Sequence, residues 1–211
     1  MKKITFLLIL FLGFNSYAQF NFNSYDNASL KFRNGEILVG KAKVTDDEKV
    51  KFKKGSKKEK YNYRTLESFD IYGEEDTLRF TYKIIAGKEP RLMKVVKEYP
   101  GRINLYVINH ANNTFRPGGT PTNPAMPIGG GLSVSSGVSV NTSEYYLNKG
   151  TGFEVVEIGN DHPVFGKRRF KKALIEFFQD CPKLIRKVED NDFRRNEMEA
   201  LVDFYIKNCQ S

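Results

Sequence analysis

The chain has 211 residues, a formal charge of +9, 40% hydrophobic and 28% charged residues, and two cysteines. That is ordinary composition for a globular protein of one domain, or at most two. It excludes a collagen, a disulfide-dense mini-protein and a wholly disordered chain. A single long apolar run also excludes a multi-span helical membrane protein.

That run is N-terminal. Met1-Lys2-Lys3 supplies a positive start, Ile4 to Phe14 is uncharged and apolar, and Ser16-Tyr17-Ala18 places small residues at the positions a signal peptidase reads. As a helix, Ile4 to Phe14 would rise about 16 Å against a hydrocarbon core of roughly 30 Å. The segment therefore reads as a cleaved signal peptide, residues 1–18, and not as a membrane anchor. Gln19 follows the expected cut, so no cysteine is placed there for lipid attachment. Removing Lys2 and Lys3 takes the formal charge from +9 to +7. The mature chain is expected to carry no transmembrane span.

Residues 19–108 read as an antiparallel β region. Leu30 and Phe32 lead into Asn34-Gly35, and Ile37 to Val44 follows; Asn-Gly between two strand-like runs signals a hairpin with a type I′ turn. Thr45-Asp46-Asp47-Glu48 forms the next turn, then Val50-Lys51-Phe52-Lys53 alternates. Gly55-Ser56 turns again, with Tyr61 and Tyr63 beyond. Leu66, Phe69 and Ile71 continue to the turn at Gly73-Glu74-Glu75-Asp76. Thr77 to Ile85, Arg91 to Val96 and Arg102 to Ile108 complete the strands. Short strands joined by turns indicate an antiparallel sheet or a small barrel. Leu30 to Ile71, with Asn34-Gly35-Glu36, a strand carrying Gly40, an acidic turn, and Tyr63-Arg64-Thr65-Leu66-Glu67-Ser68-Phe69 as a closing element, resembles the opening of SH3-like and Sm-like small barrels. The resemblance implies a shape, and no RNA-binding motif of the Sm family is matched.

Residues 109–143 differ in kind. From Pro117 through Ser143 no residue is charged, and Gly, Pro, Ser, Thr and Asn make up 20 of the 27. Such a stretch buries too little apolar surface to offset its ordering entropy, which predicts a flexible insert. Gly129-Gly130-Gly131 is followed by Leu132-Ser133-Val134, without the lysine or helix start a phosphate cradle needs.

Residues 144–211 read as a last hairpin around Asn148-Lys149-Gly150 and then a helical tail packed on the β region. Phe170, Ala173, Leu174, Phe177 and Phe178 recur at helical spacing. Pro182 suits the first position of a second helix carrying Leu184, Ile185 and Val188. Met198, Leu201, Val202 and Tyr205 mark a third, with Asp192 or Asn196 as candidate caps. Cys181 and Cys209 have no metal-type spacing and, in an exported protein, are most simply one disulfide. Tyr145-Tyr146-Leu147, Asp180-Cys181-Pro182-Lys183-Leu184 and Phe204-Tyr205-Ile206-Lys207-Asn208-Cys209 resemble the tail of a family of uncharacterised secreted Bacteroidetes proteins. That resemblance implies a Gram-negative envelope location: periplasmic, outer-membrane-associated or extracellular. The fold class expected is thus α+β, an antiparallel sheet or small barrel followed by a C-terminal helical segment.

For function, the densest chemical feature is the basic hairpin of Lys49, Lys51, Lys53, Lys54, Lys57, Lys58 and Lys60. Clustered cations attract anionic surfaces. Outside the cytoplasm the partners expected are anionic lipids or glycans, or an envelope protein, with nucleic acid disfavoured; lysines also guard edge strands. Asp161-His162 offers the alternative of a secreted enzyme, a base with a carboxylate neighbour. His110 reads as a loop residue. No G-x-S-x-G, H-E-x-x-H or S-x-x-K pattern occurs, and neither a metal nor another cofactor is implied. Asp76-Thr77-Leu78 resembles the Asp-Thr-apolar acceptor for O-glycosylation in Bacteroidetes, with Thr77 as the attachment point. The function expected is that of an exported, non-catalytic envelope protein binding a partner protein or an anionic surface.

Overall fold

The structure is a computed structural model that describes residues 24–73, 76–114, 139–162 and 166–209. The expected signal peptide, residues 115–138 of the expected flexible insert with the Gly129-Gly130-Gly131 run, and the turn residues Glu74 and Glu75 lie outside the described residues. Ten strands come first: β1 (Asp26–Phe32), β2 (Ile37–Val44), β3 (Val50–Lys54), β4 (Lys57–Tyr61), β5 (Leu66–Tyr72), β6 (Thr77–Ile85), β7 (Arg91–Tyr99), β8 (Ile103–Thr114), β9 (Ser139–Lys149) and β10 (Glu154–Asn160). Three helices follow: α1 (Lys167–Phe177), α2 (Pro182–Glu189) and α3 (Met198–Cys209). A mostly antiparallel sheet with a C-terminal helical segment is an α+β fold, as expected.

All ten strands belong to one sheet, in the order β10-β9-β8-β7-β6-β5-β1-β2-β3-β4. Its two halves close differently. In the second half β10 returns to pair with β6 in parallel, Glu154 opposite Ile84 and Val155 opposite Ile85, so β6 to β10 form a ring. The ring is filled by Ile85, Met93, Tyr106, Tyr146 and Val155. Strand alternation sends Ile103, Leu105, Val107, Tyr145 and Leu147 to the outer side, where Phe170, Leu174, Phe178, Leu184, Leu201 and Tyr205 of the helical tail cover them. Cys181 and Cys209 are disulfide-bonded, their Cα atoms 5.5 Å apart, joining the start of α2 to the end of α3. Lys97 and the Tyr99 hydroxyl bind Asp203 at 3.0 and 2.5 Å, a polar tie from β7 to α3.

The first half curls without closing. β1 to β6 surround Leu30, Ala42, Val50, Phe52, Leu66, Phe69 and Ile71, and among the described residues no strand pairs with the outer edge of β4. Gly40 in β2 permits a close approach of β3, since an added Cβ would lie 2.6 Å from Phe52 Cζ and 2.7 Å from the Lys53 carbonyl oxygen. The irregular spacing of Leu66 and Phe69 has a cause in register: Leu66 opposes Phe32 but Phe69 opposes Leu30, with a bulge between.

Several local expectations shift. The Asn34-Gly35 hairpin forms, but not as a type I′ turn, which needs positive φ at both residues. Gly35 has φ 86°, whereas among the described non-glycine residues only Glu48 and Asn191 have positive φ. The Phe32 amide bonds the Glu36 carbonyl and the Gly35 amide bonds the Phe32 carbonyl, closing a three-residue loop. The Asn34 side chain accepts from the Glu36 amide at 3.0 Å, which holds Asn34 outside the left-handed region. β8 continues to Thr114 and β9 begins at Ser139, so His110 has its backbone in a strand, opposite Thr142, rather than in a loop. Glu197, not Asp192 or Asn196, stands immediately before α3, and its carbonyl accepts from the Leu201 amide.

Candidate functional site

β2, β3 and β4 form a meander at the far end of the sheet, and its register decides where each lysine stands. Lys41 opposes Lys53, Lys43 opposes Lys51, Lys51 opposes Lys60, and Lys53 opposes Lys58. Directly opposed residues share a face, and residues two apart on one strand share it too. Lys43-Lys51-Lys60 and Lys41-Lys53-Lys58 are therefore two parallel rows on the outer face, a grid roughly 10 by 7 Å at ordinary strand spacings. The other face of the same strands carries Ala42, Val50 and Phe52 into the core.

The seven lysines expected to act together are thereby divided. Lys51, Lys53, Lys58 and Lys60 stand in the grid; Lys49 lies in the preceding turn; Lys54 and Lys57, opposite each other, point to the inner side at the hairpin tip. There they line a cavity of about 400 Å³ with Phe32, Phe52, Glu59 and Tyr61. Two lysines not anticipated, Lys41 and Lys43 of β2, complete the grid. The alternation Lys41-Ala42-Lys43 carried the signal, since a turn from Thr45 to Lys49 places Lys43 across from Lys51.

Counter-charge is sparse on this face. Asp47 accepts from Lys49 at 2.7 Å and Lys60 at 3.0 Å, and these bonds, Lys49's first, hold its carboxyl far below the usual range. Lys57 pairs with Glu59, which raises its pKa. Lys43 lies 5.4 Å over the Tyr25 ring. Among the described residues no carboxylate is within ion-pair distance of Lys41, Lys51, Lys53 or Lys58. Like charges opposed across strands repel, so this arrangement lowers the stability of the free protein.

Glu48 locks the meander onto the rest of the sheet. Held at φ 55°, it takes Arg91 Nε on one carboxylate oxygen at 2.6 Å and the Leu92 amide on the other at 3.1 Å. Its carbonyl accepts from the Tyr82 hydroxyl at 2.7 Å. Burial, reinforced by the Glu48 charge, pushes the Tyr82 phenol well up, so it remains a donor. The lysine rows are thus carried on a fixed platform.

Asp161 and His162 follow the end of β10. Asp161 Oδ1 accepts from the Ser143 amide at 2.8 Å and Oδ2 from the Tyr145 hydroxyl at 3.4 Å, which fastens β10 to β9. The His162 amide donates to Asn160 Oδ1 at 3.2 Å. Asp161 lines a cavity of about 360 Å³ completed by Arg194, Arg195 and Asn196. Thr77 is exposed as the first residue of β6, opposite Tyr72. Among the described residues no group of three or more His, Cys, Asp or Glu is placed to hold a metal ion, and no helix is long and apolar enough to cross a membrane. Comparison of the chain with family models, curated proteins and solved structures returned no match in any of the three.

Proposed function

We propose that this chain is an exported, non-catalytic binding module that docks through the outer face of β2, β3 and β4 onto an anionic surface of the cell envelope. One observation carries the reading: six lysines in two rows on one strand face, four of them without a carboxylate partner among the described residues. A planar array of anionic groups relieves the repulsion between opposed lysines, and each ammonium near such a surface contributes about 1 kcal/mol. Export is supported by the charged start, apolar run and small residues of the N-terminus, and a disulfide-bonded tail fits an oxidising compartment. Exposed Thr77 in Asp76-Thr77-Leu78 suits attachment of a sugar on the same reading.

The test uses the mature chain and immobilised polyphosphate across a salt series. Binding should weaken steeply with salt, and the quadruple variant Lys41→Gln, Lys51→Gln, Lys53→Gln, Lys58→Gln should bind at least tenfold more weakly with a shallower salt dependence. Equal binding by the variant and the parent would overturn the assignment of this face.

A further inference from the structure

The lysine grid adjoins an apolar ridge. Ile37 and Val39 are 60% and 64% exposed, more than the other exposed large apolar residues among those described. Both lie in β2, and alternation puts them on the same outer face as Lys41 and Lys43. β3 does not cover them: its pairing with β2 runs from Val44 opposite Val50 to Lys41 opposite Lys53, and β3 ends at Lys54. Among the described residues, 37–39 are thus paired on one side only, with Lys31, Leu30 and Ser29 of β1. Phe153, 54% exposed, has its ring 5.6 Å from the Arg33 guanidinium, whose Nε donates to the Tyr63 carbonyl. Cations and uncovered apolar side chains therefore stand side by side on one rigid face.

Resting on the reading above, we infer that the anionic partner is a lipid bilayer, with the lysines at its phosphate headgroups and Ile37 and Val39 seated in the apolar layer beneath. A soluble polyanion would engage the lysines and leave the ridge in water. A bilayer offers both chemistries within about 5–10 Å of depth, the depth to which interfacial protein elements enter. Lysine stems reach up from apolar surroundings to phosphates. β-branched side chains on a strand enter with little rotamer entropy to lose.

The chain contains no tryptophan, so Val39→Trp gives a single reporter on the ridge. The mature protein is mixed with vesicles of phosphatidylcholine containing phosphatidylglycerol, with pure phosphatidylcholine vesicles, and with soluble polyphosphate. Emission of the introduced tryptophan should shift to the blue and resist iodide quenching with anionic vesicles, and stay water-like with polyphosphate. Ile37→Thr/Val39→Thr, which keeps strand-forming side chains, should weaken vesicle binding about tenfold and leave polyphosphate affinity unchanged. Vesicle binding with a fully quenchable reporter, or with no loss in the threonine variant, would overturn bilayer insertion while leaving the lysine face intact. Failure to bind either vesicles or polyphosphate would overturn the lysine-face reading itself.

Discussion

The two halves of the sheet treat their faces in opposite ways. In the ring of β6 to β10 the central strands β8 and β9 are buried on both faces, one around Met93, Tyr106 and Tyr146 and the other beneath the disulfide-tied helices. The curl of β1 to β5 buries one face around Leu30, Phe52 and Phe69 and leaves the other to the lysines, with β4 as an unpaired edge among the described residues. Stability is concentrated in one half and exposed chemistry in the other. Glu48, bonded to Arg91, Leu92 and Tyr82, is one place where they are fastened together.

The comparison breaks most clearly if the tail is loosened. Replacing Cys181 and Cys209 by serine should destabilise the protein by about 3–4 kcal/mol, on the chain-entropy account for a sequence separation of 28. Chemical denaturation would measure the loss, and polyphosphate binding below the new midpoint should be unchanged. A fall in binding matching the fall in stability would mean the halves are not separable. Gly40→Val attacks the other half, because its Cβ would meet the Phe52 ring and the Lys53 carbonyl. It should cost about 1–3 kcal/mol and abolish polyanion binding while helical circular dichroism persists. Parent-like binding would show that the close packing at Gly40 does not shape the lysine face.

Acid sharpens the contrast at smaller cost. Burial pushes Asp180 and Asp203 upward, but Lys149 and Tyr205 at the first, and Tyr99 and Lys97 at the second, outweigh it and hold both below the ordinary 3.8. Groups with depressed pKa values stabilise the fold above the unfolded-state value and lose that contribution as pH falls through the folded one. Tail stability should therefore be level above about pH 4 and decline below it. Asp203→Asn, at a partly exposed site, should remove about 0.5–1 kcal/mol at neutral pH and flatten that decline. An unchanged pH profile in the variant would assign the acid response elsewhere. The smallest effect has the opposite sign: Lys53→Gln relieves repulsion from Lys41 and Lys58 and should stabilise the free protein by about 0.3 kcal/mol. A destabilised variant would mean that the stem of Lys53 packs more than its charge repels.

Much of this was legible in the chain because it depends on near neighbours. Alternation in Val50-Lys51-Phe52-Lys53, the helical recurrence of Phe170, Leu174 and Phe178, Pro182 at the head of α2 and the pairing of Cys181 with Cys209 were all readable, and the structure has them. The Asn34-Gly35 hairpin was readable as a turn, but its type was not, since the Asn34 side chain competes for the local amide. Four of the six lysines of the grid were likewise readable in β3 and β4. The rest came from β2, whose contribution depends on hairpin register.

Taken by itself, the sequence determined which residues alternate, which recur every third or fourth position, and where turns are required, because those preferences are settled within a few residues. Tertiary structure alone decided that β5 lies beside β1, that β10 returns to β6, that Glu48 joins the two halves, and that Lys41 and Lys43 stand beside Lys53 and Lys51. Each of these unites strands through a register that follows from burying whole faces at once. A one-residue slip of any one of these strands would turn its lysines inward, so burial of the apolar face is what holds the charged face outward.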